Sequence, residues 1–152
     1  MLMMQIFVAV FGGISTLSVE GNWQCDPYEI LGESFEGSVA EIIEYKEDGS
    51  FVSESTARYV FPDQFSIEVR VDFRGKWRIE DSLLLKRTVS SSVIRTNAEW
   101  LPVEKMQEFF DRSAKPLEWL KYDFEVSGGE LVTTLLAPDK PELEKSARCV
   151  KA

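Results

Sequence analysis

The chain has 152 residues, no histidine and a formal net charge of −9 at neutral pH. Hydrophobic residues make up 44% of it and aromatic residues 12%, which is enough to form a packed core and excludes an intrinsically disordered chain. The absence of histidine excludes Ser-His-Asp and Cys-His catalysis and the usual zinc sites. The negative charge makes nucleic acid a poor partner.

The charge is spread unevenly along the chain. Residues 58–95 hold eight basic and five acidic side chains, so this stretch is positive within an acidic protein. We interpret these side chains as ordinary solvated strand faces. The alternative is a basic patch on the middle strands that meets an anionic partner.

The N-terminus begins with an apolar leader. Residues 2–17 carry no charged side chain, and the apolar run at 6–14 is too short to span a bilayer as a helix. Thr16 and Ser18 have the spacing that signal peptidases read. We predict a signal peptide over residues 1–18, a single β domain over 19–152, and a secreted or periplasmic protein with no stable membrane insertion after cleavage. A short anchor or a buried N-terminal segment is the alternative.

The chain contains two cysteines, Cys25 and Cys149. Two cysteines in an exported chain most often pair. We therefore predict a disulfide between them, which closes a loop that spans most of the domain. Two unpaired thiols in a cytosolic protein would be the alternative, and the apolar leader disfavours it.

A two-residue period dominates the chain after the leader and predicts antiparallel strands with one buried and one solvated face. The clearest example is 65–73, where apolar residues alternate with polar ones. The predicted strands begin near residue 21 and continue at 38–46, 50–61, 65–79, 83–96, 120–126, 131–137 and 143–151. Turns are predicted at 47–49, 80–82 and 127–129, where glycine, aspartate and serine concentrate.

One segment has helical rather than strand periodicity. Pro102 suits the first turn of a helix, and apolar residues then recur at helical spacing up to residue 114. They are Val103, Met106, Phe109, Phe110 and Ala114. We predict one amphipathic helix that packs on or across the sheet.

These elements predict a mainly β fold, an antiparallel up-and-down meander of seven to nine strands with one amphipathic helix. Closing such a meander into a barrel removes its exposed edges. A disulfide between Cys25 and Cys149 would join the first strand to the last, as closure requires. An open, strongly curved sheet wrapped on the helix is the structural alternative.

Two Gly-x-Trp segments carry a resemblance to a known family. Residues 21–23 (Gly-Asn-Trp) open the first strand, and residues 75–77 (Gly-Lys-Trp) recur in the middle of the chain. This layout resembles that of small bacterial lipocalin-like (calycin-type) domains. The resemblance implies a barrel with structural roles for Gly21, Trp23 and Trp77, and a Trp23 ring packed across the closed end. It also implies an arginine from the last strand over that ring, and Arg148 is the positional candidate.

One apolar strand face contains charged side chains. On the strand predicted over 83–96, Arg87 and Arg95 share a face with Leu83, Leu85, Val89 and Val93. An inward arginine needs a carboxylate or water as its partner. We hypothesise that Arg87 or Arg95 meets the acidic head group of a ligand inside the barrel. The alternatives are that both arginines lie at the rim, or that a bulge near residues 90–92 reverses the register.

A second strand shows the same interruption, because Glu41 lies on the inner face that also carries Tyr45. We predict that Glu41, Tyr45 and Tyr59 line the cavity. The favoured function is a binding module for a small apolar or amphipathic molecule, with no catalytic residue, metal or cofactor. The alternatives are a protein-interaction module with a filled core and a carboxylate-based hydrolase.

Overall fold

The computed structural model describes residues 18–31, 36–62, 65–113, 118–139 and 145–152. It confirms a mainly β fold with a single helix in this part of the chain. The predicted signal peptide lies outside the described residues except for Ser18, and it stays a prediction. The elements, in chain order, are β1 (Gly21–Leu31), β2 (Glu36–Tyr45), β3 (Ser50–Val60), β4 (Ser66–Glu80), β5 (Leu83–Thr96), α1 (Val103–Ser113), β6 (Leu120–Ser127), β7 (Glu130–Leu135) and β8 (Ser146–Lys151).

The eight strands form a closed barrel in which each strand pairs with its neighbours in the chain and β8 pairs with β1. The predicted barrel is confirmed, and the open curved sheet is wrong. Cys25 and Cys149 lie opposite each other where β1 meets β8, and they form the predicted disulfide. The first and last strands are therefore joined by a covalent bond as well as by hydrogen bonds.

The pairing between β5 and β6 is short, and beyond it the helix α1 forms hydrogen bonds with β5. Only residues 84–86 of β5 pair with β6. Farther along β5, Gln107 of α1 accepts a hydrogen bond from the Val93 amide (2.7 Å) and donates one to the Ser91 carbonyl (3.1 Å). The side chain amide of Gln107 thus supplies the donor and the acceptor that a neighbouring strand would provide.

Two bulges shift the register between β4 and β5. They leave Val89 and Ile94 without a partner on β4, on either side of the predicted position at 90–92. Gly75 of β4 pairs with Thr88 of β5, next to the bulge at Val89, which is the first along β5. A β-carbon at this position would collide with the Arg87 carbonyl and the Phe51 ring, so close approach of the backbones requires glycine.

The barrel has two apolar clusters, one toward each end. The first, the closed-end core, contains the disulfide and the fully buried side chains of Trp23, Ile43, Leu84 and Leu131. The second, the helix-end core, contains Ile67, Val69, Val71 and Val93, and Met106 and Phe110 of α1 pack against it. The helix therefore covers one end of the barrel, as its apolar face predicted. No helix in the described ranges is long and apolar enough to cross a membrane.

Trp23 fills the closed end of the barrel. Its side chain is 1% exposed, and its indole nitrogen donates a hydrogen bond to the Val19 carbonyl (2.7 Å). The amine of Lys151 lies 4.5 Å from the centre of the ring. Gly21 has a φ of 122°, and a β-carbon there would collide with this same amine. Trp77 connects two hairpins at the same end of the barrel, because its indole nitrogen donates a hydrogen bond to the Lys46 carbonyl in the turn after β2 (2.9 Å).

The prediction that Arg148 covers Trp23 is wrong. Neighbouring residues of a strand face opposite sides, and Cys149 faces inward to form the disulfide. Arg148 consequently lies on the outer surface, where it forms an ion pair with Glu130 (2.6 Å). Lys151, two residues beyond Cys149, faces the same side as the disulfide and takes the place over the ring.

Candidate functional site

The hairpin between β4 and β5 determines which side chains of β5 enter the barrel. Asp81 and Ser82 form its two-residue turn with positive φ angles of 52° and 63°. The turn places Trp77 of β4 opposite Lys86 of β5. Because directly paired residues face the same side of a sheet, Lys86 faces the interior together with Trp77. Leu84, two residues earlier, is completely buried on the same face.

Arg87 and Arg95 lie on the outer face of β5, so the prediction that they face the interior is wrong. Arg87 pairs with the exposed Lys76, and the Arg95 side chain is 67% exposed and 3.4 Å from a Glu68 oxygen. The apolar pattern was misleading because Leu84 and Leu85 are both buried. In addition, the bulges at Val89 and Ile94 each reverse the alternation of β5, as the bulge alternative allowed, so Val93 faces inward and Arg95 outward. Hydrophobicity alone therefore could not show which side chains of β5 face the interior of the barrel.

The amine of Lys86 is surrounded by three aromatic rings. It lies 5.1 Å from the centre of the Phe51 ring and 5.4 Å from the centres of the Tyr45 and Tyr122 rings. These distances are within the range of cation–π attraction, about 6 Å. The rings come from three different strands, β2, β3 and β6, so only the closed barrel brings them together.

The electrostatic surroundings keep Lys86 protonated. Although burial lowers it, the pKa of Lys86 is raised overall, because attraction to Tyr45, Glu41 and Tyr122 outweighs the loss of solvation. Burial raises the pKa of Tyr45 and Tyr122, which are therefore neutral phenols at physiological pH. The pKa of Tyr28 is raised in the same way, with Glu41 contributing.

Lys86 and Glu41 face each other without direct contact. Glu41 affects the pKa of Lys86 and of three surrounding tyrosines, which places it among them. Within the described ranges, the ion pairs with nitrogen–oxygen distances up to 4.0 Å include neither residue. The ammonium group is thus held by aromatic rings, by an interaction with the Tyr45 hydroxyl and by a more distant carboxylate.

Two cavities meet at this cluster. The first has a volume of about 240 Å³ and apolar walls that include Ile43, Leu131, Leu135 and the disulfide. The second has a volume of about 180 Å³ and lies between β3, β4, β5 and β6. Three polar side chains line both cavities: Glu41, Lys86 and Tyr122. The exposed Lys145 also lines the first cavity, and its amine donates a hydrogen bond to the Glu29 carbonyl (3.1 Å).

The structure brings together only part of the predicted set. Glu41 and Tyr45 line the first cavity. Tyr59 is half-buried farther along β3, opposite Ile67 of the helix-end core, and lines neither cavity. Sequence reasoning missed four lining residues that carry a charge or a phenol hydroxyl: Tyr28, Lys86, Tyr122 and Lys145. The sequence did contain a signal for Lys86. In a hairpin with a two-residue turn, Lys86 lies opposite Trp77 of β4, and paired residues face the same side of the sheet.

The chemistry of the cluster is that of a binding site. An ammonium group and phenol hydroxyls can donate hydrogen bonds to an acidic or polar group, and the adjacent walls are apolar. Among the described residues that line the two cavities, Glu41 is the single carboxylate. A glycosidase-type mechanism needs two carboxyl groups, so these cavities give the hydrolase alternative no support. The described ranges contain no group of three or more residues suited to hold a metal.

Comparison with known proteins leaves the family open: no protein-family model matches the chain, and no curated protein matches it.

Proposed function

We propose that this protein is an exported, lipocalin-like β-barrel that binds a small amphipathic molecule in its interior. The observation that carries this proposal is the inward-facing amine of Lys86 between two cavities, the first with largely apolar walls and the second with mixed polar and apolar walls. Barrel interiors are normally filled by apolar side chains. A charged group beside a cavity with apolar walls is the combination that suits a molecule with a polar head and an apolar tail.

The volumes limit the size of this molecule. At about 30 Å³ for each water-sized group, the first cavity of about 240 Å³ holds about eight non-hydrogen atoms. A molecule that also enters the second cavity of about 180 Å³ would have about six more. The proposed ligand is thus smaller than a membrane phospholipid.

Two further features support the lipocalin-like and exported parts of the proposal. The closed end is built around the tryptophan of the first Gly-x-Trp, with a cation from the last strand over its ring. Disulfides persist in secreted and periplasmic proteins and are rare in the cytosol, and this barrel is closed by one. Both agree with the leader at residues 1–18.

An aromatic surface cluster favours a second function, protein interaction. Phe61 stacks on Phe65 with ring centres 4.8 Å apart, and Trp100 meets Phe65 edge-on at 5.7 Å. Phe65 is 47% exposed and Trp100 is 61% exposed. The basic stretch gives this alternative less support, because Arg70, Arg78 and Arg95 form ion pairs with neighbouring acids.

Native mass spectrometry of the protein isolated from its own producing cells tests the proposal. We expect a fraction that carries a small additional mass and loses it under denaturing conditions. A fluorescent lipid-like probe should bind the protein at a defined molar ratio, and an extract of the same cells should displace it. A bare polypeptide that also leaves the fluorescence of such probes unchanged would contradict ligand binding. The variant Trp100→Ala, outside the cavities, should bind like the wild type.

A further inference from the structure

We infer that the cavity selects a singly charged anion of the carboxylate class and holds its head group at Lys86. This inference rests on the proposed function and makes its ligand specific. The head group would lie between Lys86 and the hydroxyls of Tyr45 and Tyr122. The tail would extend along the apolar wall formed by Ile43, Leu131 and Leu135.

The charges that line the first cavity favour one negative charge on the ligand. Among the described residues that line it, Lys86 and Lys145 are basic and Glu41 is acidic. These residues together carry one positive charge, inside a protein whose net charge is −9. A monoanion neutralises this excess. A dianion would leave a negative charge facing Glu41, and an ammonium ligand would repel both lysines.

The donors around Lys86 suit a carboxylate. The Lys86 amine has no carboxylate within 4.0 Å among the described residues, so its positive charge is available to a ligand. The Tyr45 hydroxyl accepts from this amine, and the Tyr122 ring lies beside it. Each phenol still carries a proton that it can donate to a ligand. Hydrogen bonds from charged donors to carboxylates are about twice as strong as neutral ones.

Glu41 acts as the internal counter-charge of Lys86. It lines both cavities beside Lys86, so a bound carboxylate would compete with it for the same ammonium group. Removing the charge of Glu41 should therefore strengthen the binding of an anion. A purely structural lysine–glutamate pair would give the opposite result, because loss of Glu41 would only loosen the site.

Calorimetric titration of the whole protein with three eight-carbon probes, octanoate, octanol and octylamine, tests the head group. We expect octanoate to bind at least about tenfold more tightly than octanol, as a charge-assisted hydrogen bond provides, and octylamine to bind most weakly. Equal affinities for octanoate and octanol would overturn the inference but leave the binding of amphipathic molecules intact. If none of the three probes binds, the proposed function fails as well.

Variants assign the effect to the cavity. Lys86→Met should remove the preference for octanoate while leaving octanol binding unchanged, and Lys76→Met on the outer face of β4 should keep the preference. Glu41→Gln should tighten octanoate binding several-fold. If Lys86→Met does not fold, the neutral pair Lys86→Met with Glu41→Gln replaces it and should also bind both probes equally. Wild-type preference for octanoate in either Lys86 variant would overturn the inference.

Discussion

Removing the disulfide should cost this domain a large part of its stability. The bond joins residues that are 124 positions apart in the chain. In the chain-entropy model, a cross-link over a loop of this length stabilises the folded state by about 5 kcal/mol, because it restricts the unfolded chain. Domains of this size have total stabilities of roughly 5–15 kcal/mol. We therefore expect the reduced protein to be marginally stable.

Urea unfolding of the oxidised protein, the reduced protein and the variant Cys25→Ala with Cys149→Ala measures this effect. Reduction isolates the cross-link, whereas the alanine variant also removes buried sulfur atoms from the closed-end core and should lose slightly more. The dependence on urea should become steeper in both, because an unlinked chain exposes more surface. A difference of less than about 1 kcal/mol between oxidised and reduced protein would refute the entropic reasoning.

Three further outcomes follow from the geometry. Gly75→Ala should lower the free energy of unfolding by about 1–3 kcal/mol, because the new methyl group overpacks the first bulge; an unchanged melting temperature would contradict this. Gln107→Ala should cost about 1–3 kcal/mol by leaving the Val93 amide and Ser91 carbonyl without partners, and slower hydrogen exchange at Val93 would contradict it. The pKa of Lys86 is raised in the folded state. Its contribution to the free energy of unfolding is therefore fully present below the unfolded pKa of about 10.4 and is lost as the pH rises from there through the folded-state pKa. Above about pH 10, the free energy of unfolding should therefore fall more steeply with pH in the wild type than in Lys86→Met, and parallel curves above this pH would oppose this.

The strand order and the closure could be predicted because both depend on local signals. Alternation marked the strands, glycine and aspartate marked the turns, and two cysteines at the ends marked where the barrel closes. The role of α1 could be predicted only in part. Its apolar face indicated that it packs on the sheet, but the replacement of a strand partner by Gln107 depends on β6 beginning only at Leu120, opposite Lys86, which no local pattern shows.

The binding site was harder to predict because it depends on strand phase. On β5, Leu84 and Leu85 are both buried, so the inner face was assigned to Arg87 and Arg95 instead of Lys86. On β8, the family resemblance pointed to Arg148, whereas the disulfide sets a phase that brings Lys151 over Trp23. On β5 the turn fixed the phase more reliably than hydrophobicity did, and on β8 the disulfide fixed it more reliably than the family resemblance did.

A crystal structure of the protein with a bromine-labelled octanoate would test the central claim most directly. We expect the anomalous bromine peak inside the barrel, beside Leu131 and Leu135, with the carboxylate at the Lys86 amine. A peak confined to the outer surface, with side chains filling the interior, would contradict the claim that this barrel is a binding site.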